Sequence, residues 1–291
     1  MSEAANTLGY VPNSAARALV SRRSGLVGVV AGDFDDPGMA SALAALDARL
    51  TDAGWALLLG RGGDDGTPLA GARALVSHGV EALVFLGVEI PTDLAEVRGI
   101  QRLPRVSVDR IDGTGFTASA GLDLARAGKL IADYLRQLGH RRLAVIAESR
   151  SLVGALLVDA LRADNAATGS TLELLNIGDG PVAGEIAKWS LLPNPPTAAI
   201  CSSDAIALAV MHACAGHGIP VPGRMSVVGF GDTSLARCVS PMLTSARIPA
   251  RSAGTAAAEY LLTRFAGRVA RLTELPVKLA VRASTGPPML S

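Results

Sequence analysis

From Leu26 onward the chain alternates short apolar runs with longer stretches in which apolar residues return every three or four positions. The short runs are LVGVVA at Leu26, WALLL at Trp55, EALVFLG at Glu81, RVSV at Arg105, RLAVI at Arg142, LELLN at Leu172, TAAICS at Thr197 and MSVVGF at Met225. A strand that is apolar at successive positions has no solvent face, so it belongs in a sheet covered on both sides, and helices between such strands supply the cover. The pattern predicts an α/β architecture of βα units around parallel sheets. The clearest helix runs from Met39 to Asp52, where Leu43, Leu46 and Leu50 keep helical spacing and Gly54 stands just past the end as a cap.

Two such α/β units follow one another, with changes of texture near Thr114–Ser119 and Pro241–Ile248. With 291 residues, 49% of them hydrophobic, the chain can fill two cores, and disorder is excluded as a global description. No apolar run approaches the roughly 18 residues that span a bilayer, and the N-terminus lacks the basic and apolar regions of a secretory signal. A cytoplasmic protein with no membrane partner is expected. Cys201, Cys214 and Cys238 form no C-x-x-C pair and read as buried, reduced thiols. The net charge is +1, and its excess lies near the N-terminus, where Arg17, Arg22 and Arg23 face only Glu3. That segment alone looks suited to phosphate, although three arginines on a short segment are more often a solvated face than a nucleic-acid site.

Signatures of catalysis are missing. GRGGDDG at Gly60–Gly66 puts Asp65 where a dinucleotide-binding loop needs its last glycine, and Pro68 follows, so it reads as a plain loop. Lys129, Lys188 and Lys278 are the only lysines, and none lies in a phosphate-loop motif. His78, His140, His212 and His217 are scattered, and His140, in the turn LGHRR, reads as structural. No enzyme activity, cofactor or metal is expected.

Acidic residues gather instead at strand ends. Asp33 and Asp36 follow the first strand, Asp109 follows RVSV, Asp123 opens the next helix, Asp204 follows TAAICS beside Ser203, and Asp232 follows SVVGF. In open α/β sheets, ligands bind beyond the carboxyl ends of the strands, and carboxylates there can accept hydrogen bonds from the hydroxyls of a sugar or related polar metabolite. Helix capping is the competing role, since Asp33, Asp123 and Asp204 each precede a helical stretch.

One further segment, LGYVPNSAARAL at Leu8–Leu19, has Pro12 and Asn13 to start a helix and alanines to continue it for two turns. So short a helix is marginal alone and forms only against a partner. The segment resembles the hinge helix of the lactose-repressor (LacI/GalR) family of transcription regulators. LPRVSVDR at Leu103, LGHRRLAVI at Leu138, PTAAICSSDAIALAV at Pro196, GIPVPGRMSVVGFGDTSLA at Gly218 and PMLTSARIP at Pro241 resemble that family's motifs in the same order.

The resemblance implies a two-lobed periplasmic-binding-protein type I fold, each lobe a doubly wound parallel sheet. Residues 1–24 would be a remnant of the DNA-binding header and hinge. Residues 25–118 with 247–270 would form the first effector-binding lobe, and residues 119–246 with 271–291 the second, the final strand Glu274–Arg282 returning to it. It implies a homodimer that senses a small metabolite held between the lobes by Asp33, Asp36, Asp109, Asp123, Ser203, Asp204 and Asp232. Asn13 would cap the hinge helix, with Ala15, Ala16 and Arg17 toward the minor groove and Leu19 as a wedge between base steps. A solute-binding protein of the same fold without a DNA role is the alternative.

This sequence departs from the family in its pocket residues. Asp36-Pro37-Gly38-Met39 replaces an asparagine-proline-phenylalanine-phenylalanine run, Val153 stands for a ligand-gripping arginine, and Gly231 stands for the first of two aspartates. Only nine residues precede Tyr10, so operator DNA is an expected partner only if the intact protein carries a helix-turn-helix.

Overall fold

The computed structural model describes residues 23–32, 37–60, 67–88, 90–108, 118–120, 124–148, 152–168, 171–177, 182–272 and 275–289. The hinge residues Asn13, Ala15, Ala16, Arg17 and Leu19 and the acids Asp33, Asp36, Asp109 and Asp123 lie outside these ranges. The described elements run in the order β1 (Leu26–Ala31), α1 (Pro37–Asp52), β2 (Ala56–Gly60), α2 (Pro68–Ser77), β3 (Ala82–Leu86), β4 (Arg105–Val108), β5 (Ala118–Ala120), α3 (Leu124–Gln137), β6 (Arg142–Glu148), α4 (Leu152–Thr168), β7 (Thr171–Ile177), α5 (Val182–Ser190), β8 (Ala198–Cys201), α6 (Asp204–Gly216), β9 (Ser226–Gly231), β10 (Thr244–Arg247), α7 (Ala250–Phe265) and β11 (Lys278–Ala280).

The chain divides into two compact units. One comprises Met1–Phe34, Ser41–Ala120 and Arg251–Thr273; the other comprises Asp35–Ala40, Gly121–Ala250 and Glu274–Ser291. The first holds a five-stranded parallel sheet in the order β2-β1-β3-β4-β5. The second holds a six-stranded sheet in the order β11-β10-β9-β8-β6-β7. In both, the second strand pairs outside the first and the third pairs on the other side, a doubly wound order whose reversal point is where ligands bind in such sheets. The second sheet is not wholly parallel, because β11 pairs with β10 antiparallel.

Burial on two faces explains the apolar runs. In β6, Ala144 and Ile146 face a core with Ile186 and Trp189 of α5 and Ala207, Val210 and Cys214 of α6. The alternate residues Leu143 and Val145 face an opposite core with Ile131 and Leu135 of α3 and Leu157 and Leu161 of α4. Period-2 alternation thus sends neighbours to different cores, and both must be apolar. On one face of the first sheet, Val30, Leu83 and Phe85 pack against Ala72 and Leu75 of α2, with Leu94 and Ile100 closing the cluster.

Helix ends follow the sequence closely. At the end of α1, Gly54 takes a left-handed φ of 81°, and the Gly54 and Trp55 amides donate to Thr51 and Leu50 carbonyls. That geometry satisfies carbonyls otherwise left open, and glycine adopts it without a Cβ penalty. α1 begins at Pro37, two residues before the start expected from spacing, because proline tolerates the first helical turn. α2 starts with Thr67 as its cap and Pro68 in the first turn.

Three thiols were expected to be buried. Cys201 and Cys214 are, and burial pushes both up, Cys214 to about 11, so neither is a nucleophile at neutral pH. Cys238 is exposed, on the turn beyond β9, where no core forms over it.

Candidate functional site

The carboxyl ends of β8, β9 and β10 lie side by side in the second unit, and they position the described candidate residues Ser203, Asp204 and Asp232. β8 ends at Cys201, and the chain turns at once into α6. The cap of that helix is Ser203, whose Oγ accepts from the Ile206 amide at 3.2 Å. Asp204 is therefore the first helical residue and not the cap, which corrects the capping role read from the sequence.

Asp204 points inward. The residue is 1% exposed. Its Oδ1 accepts from Ser245 Oγ at 2.6 Å, and its Oδ2 accepts from the Thr233 amide at 2.6 Å and Thr233 Oγ1 at 2.8 Å. Burial pushes its carboxyl above the usual range, the Ser245 and Thr233 donors hold it down, and the nearby Asp232 charge adds to the rise. The carboxylate joins α6 to the loop after β9 and to β10, so its oxygens are committed to the protein.

Asp232 is also turned inward. It is the described non-glycine residue with a left-handed backbone, φ 49°, and it follows Gly231 at φ 123°. Aspartate tolerates this region better than most residues, and the Asp232 amide is held by Ser245 Oγ at 2.9 Å. Its side chain is 1% exposed, with Oδ2 accepting from Arg247 Nε at 2.6 Å and Oδ1 from Arg282 Nη2 at 2.5 Å, while Arg237 Nη1 stands 3.9 Å away. Arg282 also donates through Nη1 to the Leu243 carbonyl at 2.6 Å.

Asp204 and Asp232, expected from the sequence as effector contacts, are thus buried side chains with a protein donor on each carboxylate oxygen. Asp204 accepts three hydrogen bonds and Asp232 two, the β9–β10 register bringing Ser245 to the one and Arg247 to the other. Thr233, Ser245, Arg237, Arg247 and Arg282 escaped the sequence reading, although Thr233 and Arg237 stand close to Asp232 in the chain and Ser245 and Arg247 lie in the PMLTSARIP run. The same carboxyl edge presents guanidinium groups to solvent, Arg247 being 56% and Arg237 54% exposed in their side chains.

At the other end of β6, His140 is a buried hub. Its Nε2 lies 2.9 Å from the Gly286 carbonyl and its Nδ1 lies 2.8 Å from Thr197 Oγ1. A carbonyl only accepts, so Nε2 carries the proton and Nδ1 accepts from the threonine. Burial lowers the pKa of the imidazole, against the Gly286 bond, which raises it. Among the described residues no three His, Cys, Asp or Glu side chains come together as a metal site. No helix there is long and apolar enough to cross a membrane.

A family model described as a periplasmic binding protein-like domain matches residues 132–285. The HTH-type transcriptional regulator GalR of Escherichia coli (strain K12) is 31% identical over 269 residues, spanning 89% of this chain and 78% of that protein. The chain belongs to the LacI/GalR family of transcription regulators. The HTH-type transcriptional regulator GntR of Pseudomonas aeruginosa is 30% identical over 296 residues, spanning 97% of this chain and 85% of that one. A LacI transcriptional regulator from a Rhodococcus species superposes with a TM-score of 0.75 at 26% identity, covering 90% of this chain and 98% of its own. The lac repressor dimer bound to operator and an anti-inducer shares the fold, with a TM-score of 0.82 at 22% identity over 95% of this chain and 99% of that one. The protein is a LacI-type effector-binding core on a periplasmic-binding-protein-like fold. In this LacI/GalR core the replacement of an aspartate by Gly231 has a structural counterpart: the position has a backbone that side chains rarely adopt.

Proposed function

We propose that this core senses a small polar metabolite, a sugar or related molecule, and uses it to control DNA binding, working as a cytoplasmic homodimer without enzymatic activity. The observation that carries the reading is the doubly wound strand order repeated in two units of one LacI/GalR chain, which presents carboxyl strand ends to a ligand in each unit. Asp33, Asp36, Asp109, Asp123 and Ser203 are the proposed direct contacts, made to the hydroxyl groups of the metabolite. Asp204 and Asp232 act one step back, by fixing the loop after β9 and the arginines around it. The lobe boundaries expected from the sequence, at 118/119, 246/247 and 270/271, are proposed as the crossings about which the effector acts.

A thermal-shift screen with sugars, polyols, nucleosides and amino acids tests this. A ligand at 100 times its Kd should add about 2.7 kcal/mol of stability, which is readily seen as a rise in Tm. A chain stabilised by no member of such a panel would speak against effector sensing.

A further inference from the structure

At the carboxyl ends of β8, β9 and β10 the described acids lie beneath and the bases above. Asp204 and Asp232 lie under the surface with their oxygens occupied, while three guanidinium groups, Arg237, Arg247 and Arg282, surround the single Asp232 carboxylate. Arg282 is 12% exposed and bonded on two nitrogens, so it acts as the internal counter-ion of Asp232. One carboxylate balances one guanidinium. Arg247 reaches Asp232 through Nε alone, which leaves the two Nη groups of its fork pointing elsewhere, and Arg237 at 3.9 Å is too distant for a hydrogen bond. These strand ends therefore show solvent more guanidinium groups than carboxylates, since Asp204 and Asp232 are buried and already bonded within the protein.

From this we infer that the effector carries a fixed negative charge, a carboxylate or phosphate on a small polar metabolite, and that Arg247 and Arg237 receive it. The inference rests on the effector-sensing reading above and narrows its ligand class. A guanidinium presents paired N–H groups that match the two oxygens of a carboxylate or phosphate, and such charge-assisted bonds are about twice as strong as neutral ones. Asp232 takes a positioning role: by holding Arg247 Nε it turns the Nη side of the fork outward. Gly231 fits the same reading, since at that position of the edge the chain carries no side-chain acid that would repel an anion.

The test is calorimetric titration of the full chain with glucose, glucuronate, glucose 6-phosphate and inorganic phosphate, at low and at high salt. Glucuronate and glucose 6-phosphate share the ring of glucose and separate a carboxylate from a phosphate, and inorganic phosphate reports the bare anion. At least one anion should bind at least tenfold more tightly than glucose and weaken as salt rises. Arg247→Ala and Arg237→Ala should each weaken it about tenfold or more, Arg247→Lys should recover part of the loss, and Arg224→Ala, an exposed charge elsewhere in the same unit, should change nothing. Melting curves of each variant confirm that it remains folded. Anion binding that is indifferent to both arginine changes, glucose binding as tight as any anion, or four silent titrations would each overturn the inference. A neutral hit in the wider metabolite screen would then leave the effector-sensing reading standing, whereas a screen without any hit would remove both.

Discussion

Gly229 in β9 lies directly beneath the carboxylate of Asp204, so close that a β-carbon at Gly229 would collide with Asp204 Oδ1 and with Leu243 Cδ2. The glycine is what admits a buried, internally bonded acid at the head of α6. Gly229→Ala should therefore cost about 1–3 kcal/mol as an overpacking change. Urea denaturation of the variant checks it, and a midpoint equal to that of the parent would mean that the helix start can shift at no cost.

Asp204→Ala removes the acceptor of Ser245 Oγ and of both Thr233 donors. Each buried group left unpaired costs about 1–3 kcal/mol, so this variant should be the less stable of the two, and Asp204→Asn should fall between it and the parent. Chemical denaturation ranks the three proteins. An order in which Asn is worse than Ala would show that the site depends on the charge and not on the acceptors.

His140 makes stability depend on pH in a definite direction. Its folded-state pKa is lowered, so the unfolded chain takes up the proton first. The contribution is fully present above the unfolded value of about 6.5 and is lost as pH falls through the lower folded value. Melting temperatures should decline on acidification below about pH 6.5, and His140→Gln should flatten that decline even if it melts lower throughout. An unchanged slope would place the titration elsewhere.

In the first unit, Gly254 of α7 packs on the backbone of Ala42 in α1, and a β-carbon there would overlap the Ala42 carbonyl. The obstacle is main chain, which cannot rotate away as a side chain can. Gly254→Ala should cost about 3 kcal/mol or more, exceeding the Gly229 change, and breaking the Arg49–Glu259 ion pair between the same helices should cost about 1 kcal/mol or less because both partners are exposed. Comparison of unfolding midpoints for Gly254→Ala and Glu259→Ala tests the contrast.

The proposed homodimer rests on the apolar helices α1 and α6 and on Leu43, His212 and Leu235 as contacts. Leu43 is half-buried and His212 and Leu235 are exposed, so each can meet a second copy. Sedimentation at micromolar concentration should return twice the chain mass of 29.7 kDa, and Leu43→Glu should shift the species toward monomer. A parent protein that sediments as a monomer would remove the dimer.

What the amino-acid sequence determined by itself is the set of longer apolar strands and the helices between them. All eight apolar runs read as strands are strands; in β1, β3, β8 and β9 burial on two sides leaves the continuous apolar signature, whereas β2, at the edge of its sheet, has no buried residue. Two strands were not separately legible, because β5 and β10 have only three or four residues and mix small or charged side chains into them, while β11 falls within the final strand Glu274–Arg282 that the family resemblance implied. β10 and β5 fall where the sequence showed only a change of texture. The candidate site divides in the same way. That acids would stand at strand ends could be read along the chain, but whether their oxygens face a ligand or the protein depends on register. Pairing of β9 with β10 sets Ser245 opposite Gly229, and the strands and loops of that sheet bring to Asp204 and Asp232 donors that lie between 15 and 50 residues away in the chain. Local spacing carries no trace of such partners. The commitment of both acids to internal bonds, and with it the exposure of Arg237 and Arg247 above them, was decided only when the sheet formed.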